Sequence, residues 1–170
     1  IGVLGSVEAI VTIAEIVADY PNIPLVLDPV LASGRGDSFA NDEILQAMRD
    51  LLFPQTTIIT PNSLEARRLT QENEEDPEIF NLGESAKSFL RMGCQYVLIT
   101  GTHENTSKVI NTLYDKNGVV RADEWQRLPG IFHGSGCTLS SAISATLAHG
   151  MSVSEGVYEA QDYTWNTLKS

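Results

Sequence analysis

Gly134-Ser135-Gly136-Cys137-Thr138 stands directly before a run in which Leu139, Ala142, Ile143 and Leu147 recur at helical spacing. Glycines let the backbone curl closely around a ligand. The first N–H groups of a helix have no intrahelical partner and lie at the positive end of its dipole, so this pattern makes a seat for phosphate oxygens. It lacks the Lys-Ser/Thr ending of a Walker loop and is not the dinucleotide fingerprint. The competing reading is an ordinary glycine-rich turn ahead of a helix.

Cys137 lies where that helix begins, a place at which a thiol pKa is expected to fall and the thiol becomes chemically useful. Cys94, between a helix end at Gly93 and the apolar run Tyr96 to Ile99, reads as a small core residue. Asn62 and Glu65, three apart at the start of a helix, offer oxygen ligands for a hydrated Mg2+, with helix capping as the alternative. His133 abuts the glycine loop and is a better candidate than His103, although each also reads as a loop histidine.

These residues need a scaffold. Leu25-Val26-Leu27, Ile58-Ile59 and Val97-Leu98-Ile99 are short apolar runs without alternation, as buried parallel strands are. Between them lie helical patterns at Ile10, Ile13, Ala14 and Val17, at Ile44, Ala47, Met48 and Leu51, and at Leu82, Ala86, Phe89 and Leu90. The alternation implies a mostly parallel sheet with helices on both faces. Asn117-Gly118 predicts a hairpin joining strands over 109–114 and 119–125. Further helices are expected from near Thr138 to before Gly150, and from about Ser154 to the C-terminus. Ile1-Gly2-Val3-Leu4-Gly5 reads as a buried strand ending in a turn. In open parallel sheets ligands gather outside the strands' carboxyl ends. Those ends carry Asp28-Pro29-Val30, Thr60-Pro61-Asn62 and Thr100-Gly101-Thr102-His103, each of which singly also reads as turn chemistry.

A chain of 170 residues with 42% hydrophobic content fits one domain with a real core. Its formal charge of -11, from 11 basic and 22 acidic residues, repels nucleic acid and anionic lipid, so a bound phosphate must be held by local backbone geometry. The acidic residues Glu72, Glu74, Glu75, Asp76 and Glu78 around Pro77 read as a solvated connection rather than a metal loop. The two cysteines suggest neither a disulfide framework nor a zinc site, and no run has the length of a membrane span or the marks of a signal peptide. A cytoplasmic protein with no nucleic-acid or membrane partner is expected. The absence of an initiator Met suggests that something precedes Ile1 in the natural protein.

The segment from His133 to Ala142, His-Gly-Ser-Gly-Cys-Thr-Leu-Ser-Ser-Ala, resembles the anion-hole segment of the hydroxymethylpyrimidine and phosphomethylpyrimidine kinases of thiamine biosynthesis. In that family Cys stands where most ribokinase-like enzymes carry a catalytic Asp. Ile1-Gly2-Val3-Leu4-Gly5-Ser6, Asp28-Pro29-Val30 and Thr60-Pro61-Asn62 with Glu65 resemble further family motifs, in matching order along the chain.

The resemblance implies one ribokinase-like α/β domain over residues 1–170, the C-terminal portion of a longer kinase. It would use ATP and Mg2+ to phosphorylate 4-amino-5-hydroxymethyl-2-methylpyrimidine and its monophosphate. It assigns catalysis to Cys137 with the Gly134, Ser135 and Gly136 backbone, and nucleotide contacts to Thr100, Gly101, Thr102 and Thr138. Substrate contacts fall to Val3, Asp28, Val30, His133 and Cys137, and metal organisation to Asn62, Glu65 and Asp28. A homodimer is allowed. Thr100 stands where many of these kinases have Lys, which resembles pyridoxal kinases and makes pyridoxal or pyridoxine kinase the alternative. The family's N-terminal portion has no match here, which leaves a non-catalytic nucleotide- or ligand-binding fragment as a second alternative.

Overall fold

The computed structural model describes residues 1–31, 41–70 and 81–170; the acidic stretch 72–78 lies outside them. The elements run α1 (Val7–Ala18), β1 (Val26–Leu27), α2 (Asp42–Ala47), β2 (Ile58–Ile59), α3 (Ser63–Thr70), α4 (Leu82–Arg91), β3 (Tyr96–Thr100), β4 (Lys108–Asp115), β5 (Gly118–Gln126), α5 (Ser135–Ala148) and α6 (Val153–Lys169). The strands form one sheet in the order β1-β2-β3-β4-β5. β1, β2 and β3 are parallel, and the β4-β5 hairpin extends the sheet antiparallel through a turn at Lys116 and Asn117, with Gly118 opening β5 opposite Asp115.

Successive side chains of a strand point to opposite faces, and each face here is buried under its own helices. Leu27, Ile59, Val97 and Ile99 face the core built with Ile10, Ile44, Met48, Leu69 and Phe89 from α1 to α4. Val26, Ile58 and Leu98 face the smaller core of α5 and α6, with Leu139, Ile143, Val157 and Ala160. Burial on both sides explains why these runs show no polar alternation.

Two expectations need correction. Residues 1–5 form no strand: Ile1 and Val3 are 36% and 54% exposed, and only Leu4 is buried. Ile1 alone pairs with β1, donating to the Val26 carbonyl and accepting from the Asp28 N–H, both at 2.9 Å. The chain then turns away to Ser6, whose hydroxyl caps α1 by accepting from the Ala9 N–H.

The second concerns the helical pattern ending at Leu51. A π-helical turn over Met48–Leu52 follows α2, and its wider winding leaves Leu51 36% exposed while Leu52 is fully buried. Elsewhere the patterns hold, except that α5 begins at Ser135, ahead of Thr138.

Candidate functional site

The carboxyl ends of the parallel strands come together through backbone pairing. Thr60 N–H donates to the Leu27 carbonyl and Thr100 N–H to the Pro61 carbonyl, each at 3.0 Å, and Asn62 bridges Thr100. Asp28, Asn62 and Thr100 therefore stand in a row along one sheet edge. α5 packs on β1 with its N-terminus at the Asp28 end, because Leu139 and Ile143 are buried against Val26.

Gly134 caps α5 with φ 82°, a left-handed conformation that favours glycine. Its carbonyl accepts from both the N–H and the hydroxyl of Thr138, at 2.9 and 3.0 Å, so the Thr138 side chain is engaged within the helix. Gly136 is exposed, and a Cβ placed on it would meet nothing nearer than Asp28 Oδ2 at 3.9 Å. The open space over the first turn of α5 is therefore lined by backbone on one side and by a carboxylate on the other.

Asp28 is buried, and burial raises its pKa against the opposing hydrogen bonds from Cys137 and Ser140. Ser140 Oγ lies 3.4 Å from Asp28 Oδ2. This contact is absent from the sequence reading, although Ser140 follows Cys137 by three residues and so shares its helix face.

The thiol of Cys137 is the clearest correction. The helix start was expected to lower its pKa, but the pKa is raised, first by partial desolvation and then by the charge and hydrogen bond of Asp28, with Glu65 adding to the effect. Carboxylates at close range outweigh a partial dipole charge. The residue as a whole is exposed. Cys94 is buried in the larger core as expected, and burial pushes its thiol up to about 12.

Asn62 and Glu65 form a capping box. The Asn62 side-chain oxygen accepts from the Leu64 and Glu65 N–H groups at 3.0 and 2.9 Å, and Glu65 Oε2 accepts from the Asn62 N–H at 2.9 Å. Burial raises Glu65 to about 7, with the Asp28 charge contributing. Among the described residues no group of three or more His, Cys, Asp or Glu could hold a metal ion. The pair Asp28 and Glu65 fits a hydrated ion instead, since a divalent cation would relieve two carboxyls whose pKa burial raises, that of Glu65 also by the Asp28 charge, and would need only one or two protein oxygens.

Gly101 is fixed by its surroundings. A Cβ there would lie 2.3 Å from the Ile110 carbonyl oxygen, and its N–H donates to the side chain of Asn111 at 3.1 Å. Thr102, His103 and His133 are exposed, Thr100 and Val30 half-buried, and Ser135 donates its hydroxyl to the Phe132 carbonyl at 3.2 Å. Val3 is exposed on the segment before α1.

The phosphomethylpyrimidine kinase family matches residues 1–170. The hydroxymethylpyrimidine/phosphomethylpyrimidine kinase of Mycobacterium tuberculosis is 39% identical over 159 residues, covering 92% of this chain and 57% of its own. The Bacillus subtilis pyridoxal kinase, solved as an ADP complex, superposes with a TM-score of 0.81 at 33% identity, over 95% of this chain and 59% of that one. The Clostridium difficile phosphomethylpyrimidine kinase gives 0.78 at 29%, over 98% and 67%. The chain spans 33% to 62% of the length of the first curated relatives it matches. These likenesses bear out the ribokinase-like architecture.

Proposed function

The chain belongs to the phosphomethylpyrimidine kinase family, and we propose that it supplies the phosphate seat and the acceptor-facing wall of an ATP-dependent kinase for hydroxymethylpyrimidine and its monophosphate. The observation that carries this reading is the meeting of the α5 N-terminus with Asp28, Glu65 and Cys137. Free N–H groups and a positive dipole end favour transferred phosphoryl oxygens, while the carboxyls beside them favour a divalent cation. Phosphoryl transfer asks mainly for position and charge stabilisation, which such a site provides.

The backbone of Gly134, Ser135, Gly136 and Cys137 would hold the phosphoryl group. Cys137, whose pKa is raised by partial desolvation and then by Asp28, would orient the acceptor hydroxyl rather than act as a thiolate. Asp28 and Glu65 would hold Mg2+, which lends charge neutralisation to the phosphates when bound. Asn62 would serve by capping α3 and keeping Glu65 in place. Thr100, Gly101 and Thr102 would border the nucleotide, His133 and Val30 the acceptor. The protein would work in the cytoplasm on small molecules.

Thr100 and the likeness to the pyridoxal kinase support pyridoxal as a second acceptor reading. Discrimination between two heteroaromatic alcohols rests on a few hydrogen bonds to ring substituents. Measuring kcat/KM side by side for hydroxymethylpyrimidine, its monophosphate and pyridoxal on the complete natural protein decides between them. Preference for hydroxymethylpyrimidine with turnover of the monophosphate is expected. Preference for pyridoxal with no turnover of the monophosphate would overturn the pyrimidine reading.

A further inference from the structure

The loop between β3 and β4 leaves the sheet at Gly101, beside Asn62, on the rim that carries the candidate nucleotide contacts Thr100, Gly101 and Thr102. Loops of this kind are held by their own turns, and this one has a turn bond from Glu104 N–H to the Gly101 carbonyl at 3.1 Å. It is also gripped from outside. Arg127, half-buried just after β5, aims its guanidinium at the loop's inner side. Its Nη1 donates to the Thr102 carbonyl at 2.8 Å, Nη2 to the Glu104 carbonyl at 3.0 Å and Nε to the Thr106 carbonyl at 3.3 Å. From α3, Arg67 grips Glu104 through both carboxylate oxygens, at 2.8 and 3.0 Å, and holds that carboxyl down at about 2.

A planar guanidinium is suited to spanning several acceptors at once, and an ammonium is a point charge without that reach. The carbonyls of 102, 104 and 106 turned toward Arg127 fix how the loop presents the exposed Thr102 and His103 at the rim. An unbraced loop would have to be ordered by the ligand, which reduces apparent affinity.

We propose that Arg127 is a positioning residue for nucleotide binding, acting by pinning the β3–β4 loop and not by touching phosphate. The proposal rests on the kinase reading above. It explains an arginine at this position, since each of its three nitrogens donates to a loop carbonyl.

The test compares Arg127→Lys and Arg127→Met with the parent in the complete natural protein, reading the KM for ATP, the KM for the acceptor, kcat, and amide hydrogen exchange in residues 102–106. Both variants are expected to exchange faster in that segment. Both should raise the KM for ATP roughly tenfold, the size expected for one lost charge-assisted hydrogen bond, with kcat and acceptor KM nearly constant. Full restoration of the ATP KM by Lys would overturn the proposal, because charge rather than bracing would then be at work. An unchanged ATP KM in the Met variant, or a fall in kcat alone, would overturn it as well. Absence of any ATP turnover in the parent would overturn the kinase reading and this proposal with it, whereas normal turnover with insensitive variants removes the brace alone.

Discussion

Asn62 and Glu65 cap each other across the first turn of α3: each side chain accepts the other's backbone N–H, both at 2.9 Å. That reciprocity fixes the Glu65 carboxyl beside the buried Asp28, where burial and then the Asp28 charge raise its pKa to about 7 against the opposing cap bonds. A carboxyl whose pKa rises on folding binds more protons in the folded state. Its contribution to stability is therefore complete below the ordinary value of 4.5 and is lost as pH rises through about 7. Glu65→Gln keeps the capping geometry and removes the charge. Thermal unfolding of the variant should match the parent near pH 4.5 and exceed it above pH 7, by about 3 kcal/mol at most. Parallel curves across that window would show that Glu65 does not carry the raised pKa.

Asn62→Ala removes the acceptor for two helix N–H groups and should cost about 1 to 2 kcal/mol at any pH, measured by denaturant unfolding. It should also raise the pKa of Glu65 further, since the Asn62 side-chain hydrogen bond it removes holds that pKa down. A stability cost near zero would mean that water replaces the cap without loss.

The parallel strands, the hairpin and the long helices were legible because local chemistry and tertiary fate agree there: Ile58-Ile59 is apolar on both faces, and Asn117-Gly118 suits a tight turn. Residues 1–5 misled because apolar composition imitates a strand whether or not partners exist. The rise in the Cys137 pKa was illegible in the segment around it, since it comes from desolvation by the packed fold and from Asp28, which follows β1 far away in sequence. The Arg127 brace left no motif, because a guanidinium that binds carbonyls imposes no pattern on the side chains it holds.

Gly136 and Gly101 should separate binding from folding. A Cβ at Gly136 meets nothing nearer than 3.9 Å, so Gly136→Val should fold normally yet fill the seat that a phosphate would occupy. Calorimetry with a non-hydrolysable ATP analogue should show at least about a tenfold loss of affinity. Gly101→Ala forces a Cβ to 2.3 Å from the Ile110 carbonyl oxygen and should instead lower stability by about 1 to 3 kcal/mol. Unchanged nucleotide binding by a folded Gly136→Val would mean that this loop is only a turn.

The two cysteines differ in exposure and in their neighbours, and only Cys137 has Asp28 beside it, which allows the role of Asp28 to be tested directly. Cys137 is exposed and Cys94 is buried, so iodoacetamide should label Cys137 alone in the folded protein. Because the Asp28 charge and its hydrogen bond with the thiol both raise the Cys137 pKa, Asp28→Asn should move the midpoint of the labelling rate against pH downward. The effect on catalysis follows from placement. Cys137→Ala should lower pyrimidine phosphorylation far more than Cys94→Ala, whose cost should be about 1 kcal/mol of stability from lost core packing. Cys137→Ser, which keeps a donor toward Asp28, should retain more activity than Cys137→Ala if orientation of the acceptor hydroxyl is the role of the side chain. Equal losses in the Cys137→Ala and Cys94→Ala variants would remove Cys137 from the reaction. A labelling midpoint that stays in place in Asp28→Asn would remove Asp28 as a cause of the raised thiol pKa.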